Sequence, residues 1–150
     1  MRTDGESRPG SALKDGVTMI EMELTKIIIR EKVNQQYIFL REKGGERTFP
    51  IVIGFYEADV INRKVRDIKT PRPLTHDLLL GVIEQLGGKL EKVVVNDLSN
   101  NTFYARLMIS KADGMLEVDS RPSDAIALAV HVGCPIFVAE KVLDEVALQQ

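Results

Sequence analysis

The stretch that most constrains the fold is residues 118–133, VDSRPSDAIALAVHVG. Every position from Ala125 to Val130 is apolar, so a helix formed here has no wide solvent face and must be covered on most sides. Pro122 suits the first position of such a helix, and Gly133 suits its end. The rest of the chain must therefore supply elements that cover this helix.

Polar and ionisable residues crowd the N-terminal end of this predicted helix. The free N–H groups there need partners, and Ser123 and Asp124 carry suitable oxygens. On one interpretation the cluster is a cap, with Arg121 paired to Asp119 or Asp124 to lower the cost of burial. On the other it is a polar pocket that holds a phosphate on N–H groups and Arg121, or a divalent cation on Asp119 and Asp124. The two are compatible, since the same residues can cap and bind.

Strands are predicted in the first third of the chain, where apolar residues alternate with charged ones. The segments are 19–31 (MIEMELTKIIIRE), 35–42 (QQYIFLRE) and 47–54 (RTFPIVIG). A glycine pair in EKGGER suits a hairpin loop, so the three strands form an antiparallel meander. Residues 1–18 are polar and lack periodicity, which predicts a mobile tail before a domain over residues 19–150.

Helical periodicity follows in two segments. Over residues 56–68, Ala58, Ile61, Val65 and Ile68 recur three or four apart on one side. The second helix follows TPRPLTHD, with Thr75 as its cap, Asp77 in its first turn and a natural stop at Gly87 and Gly88.

The remaining segments are mainly strands. KLEKVVVNDL and TFYARLMIS flank the polar turn SNN and predict a second hairpin. MLEVDS and PIFVAE are short strands on either side of the apolar helix, and KVLDEVAL is a terminal helix. The fold class is therefore α+β, a single domain with an antiparallel or mixed sheet and three to four interleaved helices.

Composition limits the classes of protein that this chain can be. A net charge of −2 excludes a protein that is basic overall, so nucleic-acid binding requires a local patch. Cys134 is the only cysteine, which excludes an internal disulfide and favours a buried structural thiol. The sequence has no apolar run of the length that spans a membrane, and no apolar core of a signal peptide at its start, so we expect a cytoplasmic protein without a membrane partner.

A local basic patch is present in residues 63–77, RKVRDIKTPRPLTHD, where only two aspartates oppose the cations. As one surface, the patch can contact several phosphates of DNA or RNA without reading sequence. The alternative is a solvated helix face that keeps the protein soluble. The predicted nucleic-acid-binding residues are Arg63, Lys64, Arg66, Lys69 and Arg72.

Histidines and further carboxylates extend the list of candidates. His76 stands beside Asp77 and can exchange a proton near neutrality, although a lone histidine is also often structural. His131 lies near the C-terminal end of the apolar helix, which favours a structural role. A magnesium or manganese site is possible if separate carboxylates converge. The predicted metal ligands are Glu57, Asp77, Asp119 and Asp124.

Several of these segments together resemble the bifunctional nuclease family, a DNase/RNase domain. The similar blocks are FPIVIGFYEADVI, PRPLTHDLL, NDLSNNTFYARL and VDSRPSDAIALAVHVGCPIFVAEKVLDE, and the resemblance covers about residues 20–146. It implies an α+β domain, usually a homo-oligomer, with cleavage of both DNA and RNA attributed to it. An arginine is common in the family where this chain has His131. The family's recurrent polar positions correspond here to Glu57, His76, Asp77, Tyr104, Asp119, Arg121, Ser123 and Asp124.

These observations lead to competing functional hypotheses. The first is a metal-assisted nuclease with little sequence preference, in which magnesium or manganese activates water, Arg121 stabilises negative charge and His76 transfers a proton. The second is a non-catalytic module that binds nucleic acid or a protein, and the third is a small-molecule sensor with an anion site. We expect a homo-oligomer, most simply a dimer. The predicted catalytic residues are His76, Asp77, Asp119, Arg121, Ser123 and Asp124.

Overall fold

A computed structural model describes residues 11–14 and 16–149 of the chain. It contains one mixed sheet and four helices, which confirms the α+β prediction. Residues 1–10 of the predicted tail lie outside the described residues. Within that predicted tail, Ser11–Lys14 form strand β1, which pairs antiparallel with the start of the next strand.

The N-terminal meander is confirmed. Its three antiparallel strands are β2 (Val17–Ile28), β3 (Gln36–Glu42) and β4 (Thr48–Ile53). In β4 the buried residues Phe49, Ile51 and Ile53 alternate with exposed ones, as in a strand with one face on the core. This half of the sheet therefore has a covered face.

The second half of the sheet is a three-stranded antiparallel unit. Its strands are β5 (Lys89–Ser99), β6 (Thr102–Lys111) and β7 (Gly114–Ser120). Asn100 and Asn101, with φ of 52° and 63°, form the two-residue turn between β5 and β6. Both positions are left-handed, a conformation that asparagine tolerates better than most residues, so the polar turn predicted from SNN has a physical reason.

One short strand joins the two halves. β8 (Ile136–Ala139) pairs antiparallel with β2 and parallel with β5, giving the order β4-β3-β2-β8-β5-β6-β7. Among the described strands, β5 and β8 run parallel to each other, and the other pairs are antiparallel. The sheet is continuous because β8 occupies the space between the two antiparallel units.

Four helices accompany the sheet. They are α1 (Phe55–Val65), α2 (Thr75–Gln85), α3 (Pro122–Val132) and α4 (Glu140–Leu148). α3 packs against α1, α2 and the central strands β5 and β6, and its residues from Ala125 to Ala129 are completely buried. The prediction that this helix is covered on most sides is confirmed. Gly133 ends it in the left-handed conformation, with φ of 83°.

Two details of the sequence prediction are wrong. α1 ends at Val65, and both Val65 and Ile68 are exposed; its buried residues are Ala58, Val60 and Ile61. A positive φ at Asp67 turns the chain away before another helical turn can form. Thr75 is the first residue of α2 and does not cap it, since Leu74 occupies the N-cap position.

No helix in the described part of the chain is long and apolar enough to cross a membrane.

Candidate active site at the N-terminal end of the buried helix

Arg121 is the centre of the polar cluster before α3. Its guanidinium lies 3.0 Å from Glu57 Oε2 and 3.1 Å from Asp124 Oδ2. It occupies the N-cap position but makes no side-chain cap hydrogen bond, so the cluster is held by ion pairs and not by the capping that we predicted. Arg121 pairs with Asp124, one of its two expected partners, and with Glu57 in place of Asp119.

Glu57 reaches Arg121 from the first turn of α1. Its side chain is only 15% exposed. The backbone of Gly54 makes room for it, because a Cβ at position 54 would collide with Glu57 Oε1. Glycine at position 54 therefore leaves space for the Glu57 carboxylate to fold back beside the start of α1. From there it reaches Arg121, which precedes α3.

The two carboxylates keep Arg121 charged. Its pKa is raised above the usual arginine value, chiefly by the hydrogen bond to Glu57 and then by the charge and hydrogen bond of Asp124. The guanidinium side chain is nevertheless 65% exposed. A permanent cation that is fixed in position and open to solvent is suited to binding an anion.

His76 supports Asp124 from the opposite side. Its Nε2 lies 3.0 Å from Asp124 Oδ1, so the two oxygens of Asp124 face different cations or donors. His76 is 6% exposed, and its buried Nδ1 has no hydrogen-bond partner in the part of the chain that the structure describes. Asp124, whose side chain is 32% exposed, is therefore the member of this pair that solvent reaches.

Asp77 belongs to a neighbouring pair and not to the Arg121 cluster. One of its oxygens accepts a hydrogen bond from the N–H of Leu74 at 2.9 Å, and the other lies 3.4 Å from His131 Nε2. His131 donates through Nδ1 to the carbonyl of Ala127. The ring centroids of His76 and His131 are 6.4 Å apart, so the two Asp–His pairs are adjacent.

Asp119, Ser123 and Tyr104 lie around this cluster. Asp119 is exposed and pairs in register with Arg106, whereas Val118 and Ser120 pair with the buried Leu107 and Ala105. Alternation along β7 directs Asp119 to the other face of the sheet, although it borders the same groove. Ser123 is 6% exposed beneath the helix start, and Tyr104 is exposed at the end of the sheet.

The four predicted metal ligands are distributed over different surroundings. Glu57 and Asp124 share Arg121, Asp77 contacts His131, and Asp119 faces elsewhere. Within residues 11–14 and 16–149, no three His, Cys, Asp or Glu side chains are close enough to hold one ion. Both central carboxylates already face Arg121, and Asp77 and Asp119 lie apart from them, so this arrangement does not fit a metal with three or more protein ligands.

A groove of about 850 Å³ opens beside the cluster. Arg121, Asp124, His76 and Tyr56 are among the residues that line it. Most of the remaining lining is apolar and comes from α2, the sheet and α3, namely Leu79, Ile83, Phe103, Leu107, Ile109, Val118 and Leu128, and Tyr104 and four polar residues complete it.

A second cavity, of about 340 Å³, lies on the other side of the α2 N-terminus. Four of the five predicted basic residues line it: Arg63, Lys64, Lys69 and Arg72. Arg63 is paired with Asp59 at 2.9 Å and Lys69 with Asp67 at 3.2 Å. Asp77 and His131 line it too, so the basic cavity and the groove meet at the two Asp–His pairs.

Comparison with known proteins identifies the family. The sequence model of the bifunctional nuclease domain matches residues 38–150. The chain belongs to the bifunctional nuclease domain family. An uncharacterized protein of Mycobacterium tuberculosis is 42% identical to it over 130 residues, which cover 87% of this chain and 77% of that protein.

Plant members of the bifunctional nuclease family are more distant. Bifunctional nuclease 2 of Oryza sativa subsp. japonica is 30% identical over 114 residues, and Bifunctional nuclease 1 of Arabidopsis thaliana is 26% identical over 100. These matches cover 73% and 65% of this chain but only 35% and 31% of the plant proteins. The chain thus spans about a third of the plant nucleases' length.

The sequence placed Arg121 with Asp124 in one polar cluster but did not predict that Glu57 and His76 join it. The groove was not predicted, since its lining comes from α1, α2, α3 and two strands. Tyr56 was missed as well. Its position directly before Glu57, on a helix whose start is tied to Arg121, is the signal that could have identified it.

Proposed function

We propose that this domain hydrolyses phosphodiester bonds of DNA and RNA with little sequence preference. The family membership supports this class of reaction. The observation that carries the proposal is the Arg121 guanidinium, fixed by Glu57 and Asp124 and still 65% exposed in the lining of a groove. A backbone phosphate placed there contacts a group that is common to DNA and RNA.

In the proposed reaction, Arg121 stabilises the negative charge that develops on the phosphate oxygens. A water attacks phosphorus and its proton passes to Asp124, while the P–O bond to the leaving strand breaks and the leaving oxygen takes a proton from solvent. His76, bonded to the other oxygen of Asp124, orients that carboxylate. Asp77 and Ser123, which we predicted as catalytic, take positioning roles because Asp77 contacts His131 and Ser123 is buried.

The basic cavity is proposed to hold the strand beyond the scissile phosphate. Arg63, Lys64, Lys69 and Arg72 line it, and Arg66 is exposed nearby in sequence. Contacts of this kind are electrostatic, so binding should weaken steeply with added salt.

Divalent metal dependence remains a separate proposal. Magnesium keeps several waters and often uses one or two carboxylates together with substrate phosphates. Asp119 has no ion-pair partner among the described residues, which makes it the carboxylate to test first. We derive no catalytic step from a metal, and the comparison of magnesium, manganese and chelator below measures its contribution.

A non-catalytic nucleic-acid-binding module is the second candidate. It is favoured by one observation: Nδ1 of His76 is buried without a partner among the described residues, and Nε2 is occupied by Asp124, so neither nitrogen is free to exchange a proton with the groove. On that hypothesis the Glu57–Arg121–Asp124 cluster only binds phosphate or stabilises the start of α3.

The experiment compares highly purified wild type with Arg121→Gln, Asp124→Asn and Asp119→Asn on labelled single-stranded DNA and RNA. Each protein is assayed with magnesium, with manganese and with chelator, and its folding is checked by thermal melting. Lys111→Gln is the matched control for charge, because Lys111 is an exposed residue at the β6–β7 turn. We expect Arg121→Gln to lower cleavage by about 10²–10³-fold, as for loss of one group that stabilises charge in a transition state.

The control must cleave like wild type. If folded Arg121→Gln and Asp124→Asn retain wild-type cleavage, the activity belongs to a contaminant or another site, and hydrolysis by this cluster is wrong. If none of the proteins cleaves, and Arg121→Gln binds the labelled DNA and RNA more weakly than wild type, the non-catalytic module is the better hypothesis.

A further inference from the structure

The groove beside Arg121 has a lining that the hydrolysis of a phosphate does not need. Apolar side chains make up most of it, with Leu79 and Ile83 of α2 on one wall and Phe103, Leu107 and Val118 of the sheet on the other. Its volume of about 850 Å³ falls in the range of small-molecule sites, roughly 300–1,000 Å³. Such a surface favours an uncharged, partly apolar group.

One exposed aromatic ring of this groove belongs to the first turn of α1. Tyr56 lines the groove and is 54% exposed, although large aromatic side chains usually bury most of their surface. It directly precedes Glu57, whose carboxylate is bonded to Arg121. The ring and the guanidinium are thus tied to the same helix start.

The groove and Arg121 together match the two parts of a nucleotide. A phosphate on Arg121 carries a covalently attached base, and the groove offers that base an apolar floor and a tyrosine ring for stacking. Thr75, Thr102 and Ser120 add hydroxyls at the lining, which can hydrogen-bond to the edge of a base. An uncharged alkyl chain would use the floor but would leave the solvent-exposed side of the Arg121 guanidinium without a ligand.

We propose that the groove binds one unpaired nucleobase next to the phosphate held by Arg121. This inference rests on the proposed function, since it places the substrate at the same guanidinium. A base in a duplex is paired and stacked on its neighbours, so it must leave the stack to enter the groove. The domain therefore prefers single-stranded DNA or RNA, and stacking gives it little base specificity.

Binding can be measured without cleavage. Fluorescence anisotropy in the presence of chelator compares two labelled 12-mers with equal numbers of phosphates, oligothymidylate and an abasic backbone of tetrahydrofuran spacers. The proteins are wild type, Tyr56→Ala, Tyr56→Phe and Phe55→Ala. Phe55 is the matched control, because it is the neighbouring aromatic residue, is 44% exposed and does not line the groove.

Wild type should bind oligothymidylate at least about fivefold tighter than the abasic 12-mer, the lower end of the effect of one stacked base. Tyr56→Ala should lose that preference, whereas Tyr56→Phe and Phe55→Ala should keep it. Equal affinity of wild type for the two 12-mers overturns the proposal. So does a Tyr56→Ala variant that keeps the preference but changes its mass in solution, since the groove would then be an interface between copies.

The proposed hydrolysis fails separately from this inference. A base preference that depends on Tyr56, in a protein that cuts no substrate, supports the groove and rejects the nuclease. Cleavage that depends on Arg121, with no preference for bases over abasic sites, supports the nuclease and rejects the groove.

Discussion

Cys134 follows the glycine that ends α3 and is partly buried. Burial raises the pKa of its thiol to about 11, with a smaller contribution from the charge of Glu91. The thiolate is the reactive form, so raising the pKa leaves little nucleophile at neutral pH. This environment agrees with the structural role that we expected for the only cysteine of the chain.

We expect the Cys134 thiol to react slowly with a disulfide reagent such as DTNB at pH 8. The rate should rise as the pH approaches 11, because the thiolate fraction grows over that interval. Unfolding in denaturant should restore the rate of an ordinary cysteine. Equal rates for folded and unfolded protein at pH 8 would contradict the buried, protonated thiol.

At the level of residues, the sequence predicted one contact of the Arg121 cluster and missed two others. Arg121 was correctly linked to Asp124, three positions away on the same helix start. Its other partner, Glu57, is 64 positions away, and His76 reaches Asp124 over 48 positions. Neither distance in sequence predicts contact, since each depends on how α1, α2 and α3 pack.

At the level of elements, the end of α3 depends on the backbone conformation of one glycine. Gly133 has φ of 83°, and nothing lies within 4 Å of the position that its Cβ would take. A side chain there causes no collision, so the cost of a substitution comes from the backbone conformation alone. Gly81, inside α2, also has open space around it but has an ordinary helical conformation.

These two glycines make a matched pair. We expect Gly133→Ala to lower the free energy of unfolding by about 1 kcal/mol, because alanine resists the left-handed conformation. Gly81→Ala should raise it by roughly 0.5–1 kcal/mol, because alanine is the better helix former. Urea denaturation monitored by circular dichroism measures both. The same sign for the two changes would refute this account of how α3 ends.

Helix and strand positions were largely predictable from periodicity and turn residues. The end of α1 was not, because apolar residues at 65 and 68 continue the helical spacing although the backbone turns at Asp67. Local spacing cannot reveal such a turn when the next apolar residues remain exposed. The strand order was not predictable from local pattern either, since the position of β8 depends on two strands far from it in sequence.

On the scale of the whole molecule, α2 and its C-cap residue Leu86 carry an apolar stripe that is not part of the groove lining. Leu78, Val82 and Leu86 are spaced four apart, which puts them on one side of the helix axis, and they are 61%, 44% and 73% exposed. Exposed apolar rows of this kind often mark protein interfaces. We propose that this stripe contributes to the homodimer expected for the domain.

The double variant L78S/L86S should shift the protein to a lower mass in light scattering coupled to size-exclusion chromatography. The double variant V33S/V65S is the matched control, because both valines are exposed, at 43% and 55%, and lie outside α2. It should leave the mass unchanged. A wild-type protein that is monomeric at micromolar concentration would exclude a dimer of useful affinity.

The position of β8 sets the timing of folding. During synthesis, β2–β4 and β5–β7 can each pair locally as soon as they leave the ribosome, because their partners are neighbours in sequence. They cannot join into one sheet until Ile136–Ala139 emerge, because β8 follows the other described strands along the chain. A nascent chain stalled before that point would hold two half-sheets with open edges, the form of this protein most exposed to chaperones, proteases and aggregation.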